Sequence, residues 1–140
     1  MSDSPVSKRT KTFAGLMLLF LLTLVFFFLG RAYFRVAAAL AILFGLLGIV
    51  LTVQTFRTQE PRLHRLCFLT TGIAATMIPT SAVLHNLVYA LCILLFGERF
   101  WSDGSDEPFF FFLAIVICPA LFVFGSIASA ILLIRERFSR

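Results

Sequence analysis

"LCFLTTGIAATMIPTSAVLHNLVYALCILLFG", residues 66 to 97, runs for 32 residues without a charge. A soluble helix of that length would need a charged face toward water. Crossing about 30 Å of hydrocarbon takes roughly 20 apolar residues, so this stretch reads as a membrane span with length to spare. Three more runs repeat the pattern: 19 uncharged residues between Lys11 and Arg31, 21 between Arg35 and Arg57, and 27 between Glu107 and Arg135. Only 14% of the chain is charged, against about 25% in a soluble domain, and the mean hydropathy is +1.00. The chain lacks the polar surface to cover itself in water.

The predicted fold is therefore an all-α integral membrane protein, residues 1–140 forming one domain. Its four transmembrane helices are expected at about 13–29, 36–54, 66–96 and 108–135. The connection "GRAYFR" (30–35) is a tight hairpin, so the helices are expected as an antiparallel up-down bundle. The first run follows a basic segment, but at 19 residues it exceeds a secretory h-region and "FFFLGRAYFR" offers no small-x-small cleavage site. It is read as a retained helix. With both termini in the cytoplasm, the inner segments hold Lys8, Arg9, Lys11, Arg57, Arg62, Arg65, Arg135, Arg137 and Arg140. The outer ones hold only Arg31, Arg35 and Arg99. That bias follows the positive-inside rule for short loops, and the Arg-rich loops suit a bacterial cytoplasmic (inner) membrane. The net charge of +5 thus calls for no nucleic acid; the lipid bilayer is partner enough.

Small residues predict how the helices meet. Ala37, Ala41, Gly45 and Gly48 form a ridge on the second span, and Gly125 and Ser129 belong to a cluster on the fourth. Such residues let membrane helices approach closely when lipid is as apolar as leucine. Pro79 and Pro119 predict bends. Gly30 and Gly97 are placed to end helices, and Pro108 to begin one.

The question is why residues 76–91, "TMIPTSAVLHNLVYAL", carry a proline, a serine, a histidine and an asparagine in mid-membrane. On a helix, positions three and four apart share a face, which gathers Thr71, Ser81, His85 and Tyr89 into a polar stripe. That stripe is expected to face other helices, and Leu84, Leu87 and Leu91 the lipid. His85 and Asn86 are expected to hydrogen-bond to neighbouring helices. Two sharper readings compete: axial ligation of a tetrapyrrole, haem or chlorophyll, by His85, and a proton or substrate path along the stripe.

Catalysis finds little support. No Asp, Glu, Lys or Arg lies inside the four runs. Ser81 and His85 sit one turn apart on one helix with no carboxylate to orient the imidazole. Asp103, Gly104, Asp106 and Glu107 do not match a calcium loop, and Cys67, Cys92 and Cys118 form no C-x-x-C pair, so no metal is expected. His64 reads as a solvated loop residue, and Cys67 as a weak palmitoylation candidate. The expected role is a non-catalytic subunit, or an accessory or assembly factor, bound to other membrane subunits. A small homo-oligomeric transporter or channel with a path along the third span is the alternative. A cysteine placed at Ser105 should react with a membrane-impermeant thiol reagent from outside, and one at Ser139 should not; reversed labelling overturns the orientation.

Overall fold

The computed structural model describes residues 5–101 and 107–138. Asp103, Gly104, Asp106 and Arg140, and the labelling positions Ser105 and Ser139, lie outside the described residues. The described chain is helical, with no strand: α1 (Pro5–Phe28), α2 (Phe34–Arg57), α3 (Arg62–Phe96), α4 (Pro108–Phe112), a π-helical turn (Leu113–Ile117) and α5 (Cys118–Phe138). The last three elements follow one another without a break and make a fourth span. Short 3-10 turns at Arg31–Tyr33 and Glu98–Trp101 fill two of the connections. Four segments, Val6–Phe28, Arg31–Arg57, Arg62–Phe96 and Pro108–Glu136, are long and apolar enough to cross a membrane.

The helices overrun the apolar runs because hydropathy marks where hydrocarbon ends, not where a helix must stop. α1 begins at Pro5 rather than Phe13, since no breaker separates them and proline suits a first turn. α2 continues to Arg57, and α3 starts at Arg62, right behind Pro61 at its N-cap (φ −52°, ψ 143°). His64 is accordingly a partly buried helical residue, not the solvated loop residue expected. At the other ends, Gly30 and Gly97 hold positive φ, 94° and 84°. The Gly97 N–H closes α3 on the Ile93 carbonyl at 2.8 Å.

Side-chain contacts step regularly between neighbours. α1 meets α2 at Gly15–Leu47 and Phe20–Phe44. α2 meets α3 at Gly45–Pro79, Gly48–Thr76 and Thr52–Gly72. α3 meets α5 at Thr71–Gly125 and Thr71–Ser129; between α1 and α2 and between α2 and α3, partner numbers fall as own numbers rise. α1 and α5 share no backbone contact. Side chains bridge the two at one point, where Phe122 packs on Phe20 at 4.7 Å and on Phe44 at 5.1 Å between ring centroids, beside a groove lined by Phe13, Met17 and Ser126. Phe13, Leu16, Leu51, Phe68, Ala74 and Ala75 complete the buried core.

Glycine sets the closest approaches. A Cβ on Gly48 would lie 2.8 Å from the Gly72 carbonyl oxygen, and one on Gly72 only 2.4 Å from Thr52 Oγ1. On Gly125 it would meet Thr71 Oγ1 at 2.8 Å, and on Gly45 the Pro79 ring at 2.7 Å. The ridge Ala37, Gly45, Gly48 is buried, Ala41 is half-buried, and Ser129 is fully enclosed. Gly72 is the partner that the ridge requires and that the sequence reading did not single out. Pro79 lies inside a helix that is continuous from Arg62 to Phe96, and its ring fills the notch left by Gly45.

Arg9, expected as a loop cation, is wholly buried. Its guanidinium pairs with Glu60 and lies over the Phe68 ring, 3.9 Å from the centroid. This ties the first turns of α1 to the connection between α2 and α3.

Overpacking a tight contact typically costs about 1–3 kcal/mol. Gly72→Val should therefore lower stability by at least about 2 kcal/mol in a reversible unfolding titration in mixed micelles. Gly15→Ala, whose new methyl meets Leu47 at an ordinary 3.4 Å, should stay within about 1 kcal/mol of the parent.

Candidate functional site

The polar residues of α3 settle at different depths. Thr71 and Ser81 are fully buried, His85 is mostly covered, and Tyr89 is exposed at the surface. The expected stripe is thus an interior face only from Thr71 to Ser81. Beyond His85, Tyr89 does not line an interior but stacks on Trp101, with ring centroids 5.9 Å apart and planes 21° apart. Leu87 and Leu91 are exposed and Leu84 is half-buried.

Asn86 corrects a second expectation. Its amide donates to the Ala82 carbonyl of its own helix at 2.8 Å, one turn back, rather than to a neighbour. The threonines behave alike: Thr80 donates to Thr76 O at 2.8 Å and Thr76 to Gly72 O at 2.9 Å. Thr76 also reaches across to the Gly45 carbonyl at 3.3 Å. These bonds lie next to the Ala75 carbonyl, which loses its usual donor because Pro79 has no N–H.

His85 does reach another element, and the group it meets is Glu107. His85 Nδ1 donates to the Glu107 main-chain carbonyl at 3.0 Å and lies 3.4 Å from the carboxylate oxygen Oε2. A carbonyl oxygen can only accept, so Nδ1 carries a proton. In the uncharged ring the lone pair then sits on Nε2. The imidazole also lies against Phe111, with centroids 5.4 Å apart.

Glu107 is the residue that sequence reasoning undervalued. It is 6% exposed and caps α4: Oε1 accepts from the Phe109 N–H at 2.8 Å and Oε2 from the Phe110 N–H at 2.9 Å. Two bonds from the first turn, the positive end of the helix dipole and the His85 ring hold one carboxylate. Its place just before Pro108 marked a helix start. Its pairing with His85 needed the contact between α3 and the fourth span, which no local pattern carries.

Chemically, this site can hold one imidazole in one tautomer and orientation. A backbone carbonyl or carboxylate on one ring nitrogen is what orients a histidine whose other nitrogen serves as a ligand. Among the described residues no group of three or more His, Cys, Asp or Glu side chains could hold a metal ion. Pro119 sits two residues beyond the π turn, where the Cys118 N–H bonds Leu113 O. Comparison with family models, with curated proteins and with solved structures finds no match.

His85 and Glu107 make separable contributions. His85→Leu removes a bond worth about 1 kcal/mol net and leaves the cap in place. Glu107→Ala strips two N–H groups of their acceptor, and losing an N-cap costs about 0.5–2 kcal/mol. Glu107→Ala should therefore destabilise the protein more than His85→Leu in chemical unfolding, with both variants inserted.

Proposed function

We propose that this chain is a non-catalytic building block of a larger membrane assembly, a small subunit or assembly factor. Its helices would form an antiparallel up-down bundle with both termini in the cytoplasm of a bacterial inner membrane. The observation that carries the reading is the tight interior. Where α2, α3 and α5 meet, glycines bring backbone to backbone, and the polar groups Thr71 and Ser129 bond across the contact at 3.5 Å. Contacts this close along α3 favour a structural role over a substrate path through the bundle. The polar stripe then serves helix contact, while exposed apolar faces such as Phe109, Phe112 and Phe124 meet lipid and neighbouring subunits.

Gentle detergent extraction followed by mass spectrometry of intact complexes tests this. Stoichiometric recovery with other membrane chains is expected. A homogeneous homo-oligomer without another subunit would instead favour the small transporter or channel, its path then lying between copies.

A second reading rests on the His85 tautomer. With Nδ1 bound to Glu107, the lone pair on Nε2 is the one an axial ligand offers to the metal of a haem or chlorophyll. A Soret or chlorophyll band in the intact assembly, abolished by His85→Leu, would support it; a colourless assembly eliminates it.

A further inference from the structure

Burying an arginine side chain is costly unless every N–H finds an acceptor. Arg9 is 0% exposed, and Glu60 engages its Nη1. Nε and Nη2 are enclosed and have no partner. Those two atoms are not a random pair. They form the side-on edge of the guanidinium, whose parallel N–H bonds match the two oxygens of a carboxylate or phosphate.

The neighbourhood points the same way. His64 precedes Phe68 by one turn on the same face of α3, and the guanidinium covers the Phe68 ring. Both His64 ring nitrogens are enclosed and unpartnered. Arg9 and His64 hold four of the eight enclosed, unpartnered side-chain atoms among the described residues. Since buried polar groups are normally satisfied, such a concentration at one end of the bundle marks a place built for one more polar group.

We infer that this group is a phosphate oxyanion. Glu60 already balances one charge, and exposed Lys8, Arg57, Arg62 and Arg65 keep the surrounding potential positive, which favours a further anion. Once the side chains that enclose the Nε/Nη2 fork part, a phosphate diester sets its two non-bridging oxygens on it and accepts from His64 as well. Arg9 lies just before the first uncharged run, at the depth of the lipid head groups, so the phosphate of an anionic phospholipid is the nearest source; free phosphate has the same chemistry.

The test uses the full-length protein purified in detergent. Its melting midpoint is followed with added phosphatidylglycerol, inorganic phosphate or diacylglycerol, and retained lipid is counted by native mass spectrometry. Phosphatidylglycerol should raise the midpoint and stay bound, whereas diacylglycerol should do neither. If inorganic phosphate alone gives the same rise, the site stands and its phosphate comes from solution. Arg9→Lys keeps the charge facing Glu60 but loses the fork, and should bind phosphatidylglycerol at least about tenfold more weakly. Should that variant not be recoverable, His64→Ala decides, with roughly threefold weaker binding expected for one lost hydrogen bond. No shift with either phosphate source, or parental affinity in the variant that is recovered, overturns the site.

Discussion

The contact between Gly48 and Gly72 governs the rest of the bundle. Lipid tails are as apolar as leucine, so helices gain nothing from hiding hydrophobic side chains; they gain by touching closely over a long seam. Without Cβ atoms at these positions, the α2 and α3 backbones come within van der Waals reach. That approach fixes the axial register of the pair. Once Gly48 faces Gly72, Gly45 must face Pro79, and the notch of one helix receives the ring of the other. The same register sets Thr76 to bond both its own helix and the Gly45 carbonyl. Moving Pro79 one turn toward the start of α2 would drive it into Ala41, which carries a side chain.

The threonines inside the spans follow one economy. Thr23, Thr52, Thr55, Thr71, Thr76 and Thr80 each donate to the carbonyl four residues back, at 2.7 to 2.9 Å, and Asn86 does the same. A hydroxyl that bonds its own helix is satisfied wherever the helix faces, which is why threonine is scattered through these spans without marking a path. A ring nitrogen of His85 is bound differently, reaching a carbonyl and a carboxylate on the fourth span. The oddity of residues 76–91 thus resolves into self-satisfied threonine hydroxyls and amide, one proline seated on a glycine, one histidine engaged outside its helix, and a buried Ser81 whose hydroxyl has no hydrogen-bond partner.

The four spans were legible because charge and hydropathy act residue by residue along the chain, and a run without charges states its own length. Glycine at helix ends was legible for a similar reason: positive φ is a local demand that Gly30 and Gly97 meet. The pairing of elements was not. Gly72 sits among Thr71, Ile73 and Ala74 with nothing to mark it as the counterpart of Gly48, because that role exists only across two helices. Arg9 counted as one more basic flank, since the sequence separates it by 51 residues from the Glu60 it pairs with. The site at His85 was half legible. The histidine stood out by its chemistry, and its carboxylate was hidden behind a proline as an ordinary helix start.

The fourth span shows how a single proline can reach a site more than ten residues away. Pro119 has no N–H, and the Cys118 N–H is drawn to Leu113 O rather than to Ala114 O. The Ala114 carbonyl thereby loses the donor four residues on, and finds a proline five residues on. A helix in a bilayer tolerates such a defect by local π adjustment, and the turn Leu113–Ile117 is that adjustment. It inserts one extra residue, which at 3.6 residues per turn rotates everything before it by about 100° relative to α5. Gly125 and Ser129 keep their seam against Thr71 while α4 and its capping Glu107 turn to a different bearing. On an unbroken helix the phase set by Gly125 would carry Glu107 about 100° around the axis from where it stands. The π turn decouples the two halves, so one span can press glycine against α3 at one end and offer a carboxylate to His85 at the other.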